Sequence, residues 1–269
     1  MTFLKKNILI FLCLLLISFA FYAFRNVYRT PYDNTYIQDL YDHSQWTMPI
    51  SIRSIGDEKL YQLAGYISVT TGNLFTINPE APPLAKYLYG FSILLTKNAY
   101  LFNIPLFLIA IFLVYKLAFE IIQNKKQASL ACLLFCMSPL AIAQIKYTML
   151  DLPQLLTFLA HAYMLLRYGK TKHIVFALLS GMFFGAFMGT KIGFFGLAIL
   201  IADALYLYKM KRLSAILHII ITSILVYIAI FLPYILREGI LQWLRAEKWV
   251  LWFYLSSNAR AFPGLVFFA

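Results

Sequence analysis

Charge is what this sequence has least of. Only 13 % of its 269 residues are Asp, Glu, Lys or Arg, and the acids are the scarcer sign, 11 against 23 basic residues. A soluble globular chain carries about a quarter charged residues and about half apolar ones, whereas this one is 62 % hydrophobic. Too little polar material is present to cover so much apolar surface, so water is not its main solvent and a bilayer has to take that place. Cysteine is nearly missing as well. Cys13, Cys132 and Cys136 lie inside apolar runs with no metal-like spacing to His, so they read as small buried apolar residues and say nothing about redox compartment. Internal repeats, low-complexity tracts, a P-loop, a Rossmann glycine fingerprint and zinc spacings are all absent, which removes the familiar soluble chemistries.

What is present is a series of apolar runs. The first, 7–24, follows Lys5 and Lys6; it is long for a signal-peptide h-region and no A-x-A site follows, so it reads as a first transmembrane helix. Residues 25–98 are too polar to span and read as one long loop. Six further runs, 99–122, 128–145, 152–166, 174–190, 192–208 and 213–236, complete a sequence-based count of about seven spans. The net charge of +12 sits in short clusters between these runs rather than along one polar face, which points to membrane topology and not to nucleic acid. With the N-terminus inside, ten basic residues (Lys5, Lys6, Lys125, Lys126, Arg167, Lys170, Lys172, Lys209, Lys211, Arg212) fall in the cytoplasm, against two, Lys146 and Lys191, in the short outer links.

The expected fold class is therefore an all-α integral membrane protein, with residues 1–24 as first helix and 25–98 as an extracytoplasmic loop bearing interfacial helices. Residues 99–236 form a six-helix bundle, and 237–269 an interfacial segment opening a region that the end of the chain cuts short.

This orientation gathers Asp33, Asp39, Asp42, Asp57, Glu58, Glu80 and Asp151 on the outer face. Three constellations there have chemical interest. Asp57 and Glu58 open a helix whose Leu60, Leu63, Ala64 and Ile67 follow amphipathic spacing; acids in a first turn are also favoured by the macrodipole alone. Asn78-Pro79-Glu80-Ala81-Pro82-Pro83-Leu84-Ala85-Lys86 is a rigid turn with a charge on either side, or simply a proline-led start of a helix. Lys146 and Asp151 sit in a tight link between two runs, and Lys191 in Gly189-Thr190-Lys191-Ile192-Gly193 occupies another; a snorkelling Lys beside a capping Asp is the plain alternative. His43, His161, His173 and His218 are scattered and read as loop or packing residues, although His43 lies on the same face as the acids.

In this order the pieces resemble the GT-C superfamily of membrane glycosyltransferases, in particular its protein O-mannosyltransferase-like and aminoarabinose-transferase-like members. The resemblance runs over roughly residues 5–203. Asp57 and Glu58 match the family's Asp-Glu motif, Pro82, Pro83, Leu84 and Lys86 its proline turn, Asp151 its second acidic position and Lys191 the lysine of its Gly-rich turn. Ala81 stands where the mannosyltransferase pattern has His, and Lys146 where it has Arg. The resemblance implies inverting transfer of a hexosyl or pentosyl group from a polyprenyl-phosphate-linked sugar to a hydroxyl of a protein, glycolipid or polysaccharide. Asp57 would be the base and Glu58 its neighbour in catalysis. Tyr61, Lys86, Lys146, Asp151 and Lys191 form the substrate-binding set. The resemblance names no certain cofactor; Glu80 is a candidate ligand should a divalent metal ion take part. The alternatives from other classes are a transporter or flippase-like protein for a lipid or polar solute, and a catalytically inactive fragment. The transporter predicts mid-membrane ionisable residues and repeated halves with broken helices, neither of which stands out in the sequence.

Overall fold

The computed structural model describes residues 2–48, 50, 53–191 and 195–261, the side chains of 2–7, 195 and 257–261 excepted. The apolar stretch 262–268 and Ile192 and Gly193 of the glycine-rich turn lie outside the described residues. The rest forms fourteen helices, with an isolated bridge between Ser44 and Arg53 as the extended pairing among the described residues, so the all-α expectation holds. In chain order they are α1 (Thr2–Ala23), α2 (Arg25–Arg29), α3 (Asn34–Asp42), α4 (Asp57–Thr71), α5 (Leu84–Thr96), α6 (Asn103–Ile122) and α7 (Lys125–Met137). Then come α8 (Pro139–Lys146), α9 (Asp151–Thr171), α10 (Ile174–Met188), α11 (Phe195–Lys209), α12 (Ala215–Ile230), α13 (Leu232–Glu238) and α14 (Ile240–Ala261).

The sequence-based count of spans needs correction. By length and composition one described helix, α6, suffices to cross a bilayer, or up to three do if the bent pairs α7–α8 and α12–α13 each make one span. The difference lies in breaks that a hydropathy window smooths over. Ser138 caps α8 ahead of Pro139 and cuts the run 128–145 into two helices at a 62° bend. Pro233 follows the second break, and α12 and α13 meet at 58°. Helix α10 stops after 15 residues and α11 has 15. The fully described part of α1, Ile8–Ala23, is apolar but short, and α9 is long but includes His161, Arg167 and Lys170.

One core joins α1, α6, α7, α8 and α9 through Ile17, Phe107, Cys132, Ile145, Leu152 and Ala160. A second joins α9, α10, α11 and α12 through Leu165, Ala177, Leu207 and Ile219. Helices α10 and α12 touch backbone to backbone: a Cβ at Gly185 would stand 2.4 Å from the Ser223 carbonyl oxygen. Outward faces remain apolar, with Leu140 at 79 % and Leu197 at 67 % exposure.

The lobe formed by α3, α4 and α5 carries the first two constellations. Leu60, Leu63 and Ala64 are buried with Ile37, Ile55 and Ile77, and Ile67 packs against them, as the amphipathic spacing requires. Helix α4 ends on Gly72, whose φ of 73° suits a residue without a side chain. Its crossing with α5 is tighter still. A Cβ at Gly65 would lie 2.3 Å from the Lys86 carbonyl oxygen, and one at Gly90 would lie 2.3 Å from that of Gly65. Gly65→Ala is therefore expected to force the helices apart and cost about 1–3 kcal/mol, read as a lower melting temperature in detergent. Gly56→Ala, where an added Cβ meets nothing within 4 Å, should melt like the parent. Equal melting of both variants would contradict the close crossing.

Candidate functional site

Four segments distant in sequence meet at one end of the bundle: the start of α4, the proline turn before α5, the turn between α8 and α9, and the turn between α10 and α11. Each junction is a specific bond. Gln62 Nε2 donates to Thr148 Oγ1 at 2.9 Å, and the Thr148 hydroxyl donates to the Glu58 carbonyl at 3.2 Å, fastening the α8–α9 turn to the first turn of α4. The Leu84 N–H donates to the Gly189 carbonyl at 3.0 Å, joining the proline turn to the glycine-rich one. Lys191 Nζ stands 3.0 Å from Asp151 Oδ1, and Gln154 Nε2 donates to the Lys191 carbonyl at 3.2 Å. Tyr89, fully buried, donates its hydroxyl to the Met149 carbonyl.

Tyr61 is the shared neighbour of the acids. Burial raises its phenol pKa most, and the charges of Asp57, Glu80 and Asp151 raise it further, so three carboxylates from three segments act on one hydroxyl. Asp57 is exposed at the start of α4, open to an incoming molecule. Glu58 acts on Tyr100, whose pKa is raised first by burial and further by Glu58, and whose hydroxyl accepts a hydrogen bond from Lys59 at 3.1 Å. Tyr254 of α14 reaches the same region: burial raises its pKa first, and the Glu80 charge adds to this.

Lys86 departs from its expected role. It is fully buried, and its amine donates to the carbonyls of Asn78 and Ala81, bracing the proline turn from within instead of offering a charge to a ligand. Burial lowers its pKa from the ordinary 10.5 to about 7, against the opposing pull of Glu80. An uncharged amine has two N–H groups, and two carbonyls receive them. Glu80 moves the other way, raised first by burial and also by Asp57, with its backbone hydrogen bond, Lys86 and Asn78 holding it down. Lys146 is drawn aside too: its Nζ lies 5.1 Å from the ring centre of Phe24 and 4.8 Å from that of Tyr147.

No group of three or more His, Cys, Asp and Glu side chains able to hold a metal ion occurs among the described residues. Glu80, the candidate ligand, accepts from the Asn78 amide and faces Lys86.

Next to the glycine-rich turn lies an apolar cavity of about 430 Å³, lined by Phe184, Gly185 and Met188 of α10, Leu200 of α11, residues of α12, and Trp243 of α14. Beyond its Trp243 wall, Glu247 accepts from Tyr227 at 2.9 Å and from Trp243 at 3.1 Å, with its pKa raised by burial.

The sequence reasoning missed Gln62, Thr148, Tyr89 and Tyr254 at this end, and it missed a polar centre deeper in the bundle. His161 Nε2 lies 3.1 Å from Asp203 Oδ2, both residues being buried. Together with the bends at α7–α8 and α12–α13, this corrects the expectation that interior ionisable residues and broken helices are lacking. A signal existed: Asp203 is the sole acid of the run 192–208, and an acid inside an apolar helix calls for a partner.

No family model, curated protein or solved structure matches the chain.

The buried amine leads to a pH test. Between about 7 in the folded protein and about 10.4 in the unfolded chain, only the unfolded state holds the extra proton on Lys86, so stability rises with pH across that window. Melting temperature followed from pH 7 to about 10 should rise in the parent relative to Lys86→Met, which lacks the group. Parallel curves for the two proteins would show that Lys86 is not held as an uncharged amine.

Proposed function

We propose that this chain is a membrane glycosyltransferase of the GT-C kind, transferring a hexosyl or pentosyl group from a polyprenyl-phosphate donor to an acceptor hydroxyl on the extracytoplasmic face. In this reading the N-terminus is cytoplasmic. More apolar helices are embedded than the one to three long enough to cross alone, and their exposed Leu residues meet hydrocarbon. The observation that carries the reading is the meeting, at one end of the bundle, of the α4 start, the proline turn and the turns bearing Asp151 and Lys191, with Lys191 3.0 Å from Asp151 and an apolar cavity lined by Met188 nearby. One end of this arrangement suits a charged and hydroxylated head, and the other an apolar tail.

The leaving group of such a donor is already a phosphate, so a single base suffices where glycosidases need two carboxylates. Asp57 is exposed and free to take the proton from the acceptor hydroxyl. Glu58, which acts on Tyr100, and Lys86, inside the proline turn, are positioning residues. Lys191 is the cation at the rim, and negative charge developing on phosphate is what a cation there stabilises. Glu80, Asp151 and Tyr61 would contact the sugar. Protein, glycolipid and polysaccharide acceptors all present the required hydroxyl.

A transporter is the second reading, favoured by the interior His161–Asp203 pair and the two bent helix pairs. It ranks second because the exposed acid Asp57 and the Asp151–Lys191 pair lie at one end of the bundle rather than along a path through it.

Sugar transfer from a polyprenyl-phosphate donor by the full-length protein decides between them. Asp57→Asn keeps size and much of the hydrogen bonding, so turnover should fall about a hundredfold to ten-thousandfold with the melting temperature nearly unchanged. Activity within about threefold of the parent would remove Asp57 from catalysis and move the base to Asp151. Lys191→Ala should weaken use of the donor well beyond Lys172→Ala, whose lysine caps the opposite end of α9. An equal effect of both would argue against a phosphate role for Lys191. Solute uptake by proteoliposomes without any transfer would favour the transporter.

A further inference from the structure

The wall of the 430 Å³ cavity is apolar by arrangement and not by composition alone. Three of its lining side chains carry polar groups, Ser223 and Tyr227 of α12 and Trp243 of α14, and the protein itself satisfies each of them. The Ser223 hydroxyl turns to the Gly181 and Ile219 carbonyls at 2.9 and 2.6 Å. The Tyr227 hydroxyl and the Trp243 indole N–H both donate to Glu247, to Oε2 at 2.9 Å and to Oε1 at 3.1 Å. Glu247 stands behind the wall and does not line it. One carboxylate thus withdraws two donors from the cavity, and a space with no open donor or acceptor stays dry and takes apolar matter.

We propose that this cavity receives the isoprenoid chain of a polyprenyl phosphate, and that Glu247 is the positioning residue that keeps its wall fit for that chain. Helix α14 is built to place it. Trp243, Glu247 and Val250 follow the i, i+4, i+7 spacing of one helix face. Trp243 and Val250 are buried, whereas Leu241, Leu244 and Leu251 are exposed. The Phe231 ring lies 5.9 Å from that of Trp243 and 5.1 Å from that of Tyr227, so both donors are held by an aromatic neighbour as well as by the carboxylate.

The occupant follows from where the cavity opens. Ile224 lines it and is still half-exposed, on a helix whose Ile221 and Leu225 are exposed as well; in a bilayer that face meets hydrocarbon. Met188, the last residue of α10, brings the wall to the turn that carries Lys191. A single chain on a phosphate can therefore enter from the lipid side and keep its head at that turn. The identity of the chain rests on the transferase reading; the role of Glu247 does not. Tyr227, Trp243 and Glu247 lie beyond residues 5–203, so the resemblance to GT-C assigns them nothing.

Equilibrium binding of radiolabelled farnesyl phosphate to the full chain in amphipol reads the cavity without any sugar transfer. Glu247→Leu leaves the Tyr227 and Trp243 donors without an acceptor and should raise the Kd about tenfold. Tyr227→Phe breaks one of the same hydrogen bonds from the other side but leaves no donor open, so it should bind at least about threefold more tightly than Glu247→Leu. Dodecyl phosphate, standing for saturated acyl chains, should bind no tighter than farnesyl phosphate. The proposal is overturned if the parent does not bind farnesyl phosphate, if Glu247→Leu binds like the parent, or if Tyr227→Phe loses as much as Glu247→Leu. Tighter binding of dodecyl phosphate would give the cavity to bilayer lipids and overturn it too. Should Glu247→Leu fail to fold, Glu247→Gln, with one accepting oxygen in place of two, takes its place and must still bind more weakly than Tyr227→Phe. The two readings fail separately. The expected binding pattern without sugar transfer removes the transferase and leaves the chain site standing, and sugar transfer with Glu247→Leu binding like the parent does the reverse.

Discussion

At Gly65 and Gly90 the backbones of α4 and α5 meet with no side chain between them, and the geometry of the whole lobe is fixed by that approach. With α5 drawn in this far, its first turn lies against α4 and Lys86 points back into the proline turn, where the Asn78 and Ala81 carbonyls receive its amine. Glu80 is thereby held near Asp57, whose charge adds to the burial that raises the Glu80 pKa. On the opposite side of the crossing, Gln62 reaches Thr148 and ties the lobe to the start of α9. A single methyl group at Gly65 would disturb all of these relations together.

Polar and apolar groups are distributed inside out relative to a water-soluble protein. Large apolar side chains face outward along α1, α7, α11 and α12, while Lys86, Glu120, His161 and Asp203 are inside. Each interior ionisable group has a partner. Lys86 has two carbonyls, Glu120 has Arg167 and Lys170, and His161 has Ser180 and Asp203. Burial without such answers would cost several kcal/mol per group, which is why these contacts, more than the packing of leucines, determine which helix sits where.

Much of the lobe was legible in the sequence because its signals are local. The spacing of Leu60, Leu63, Ala64 and Ile67 assigns the buried face of α4, and the acidic pair marks its first turn. Asp151 and Lys191 were singled out separately, and the fold makes them partners. What stayed hidden depends on direction or on distant pairing. A lysine after a proline turn reads as solvent-facing, and nothing local shows that Gly65 turns Lys86 inward. Likewise, His161 and Asp203 belong to different apolar runs and acquire meaning only when α9 and α11 are brought together. Span length was misjudged because hydropathy is averaged along the chain, while Ser138-Pro139 and Pro233 act at a point.

The bonds that fasten the lobe also impose an order of assembly. Gln62 waits for Thr148, 86 residues later, Tyr87 for Ile230, 143 later, and the Thr71 carbonyl for Arg237, 166 later. During synthesis at about 5–20 residues per second, α4 and α5 emerge well before the groups that anchor them exist. Their apolar crossing must persist meanwhile as a local pair, held by contacts close in sequence, while the long-range bonds come last. The end of the molecule that bears the acids is thus completed only after α13 has been made.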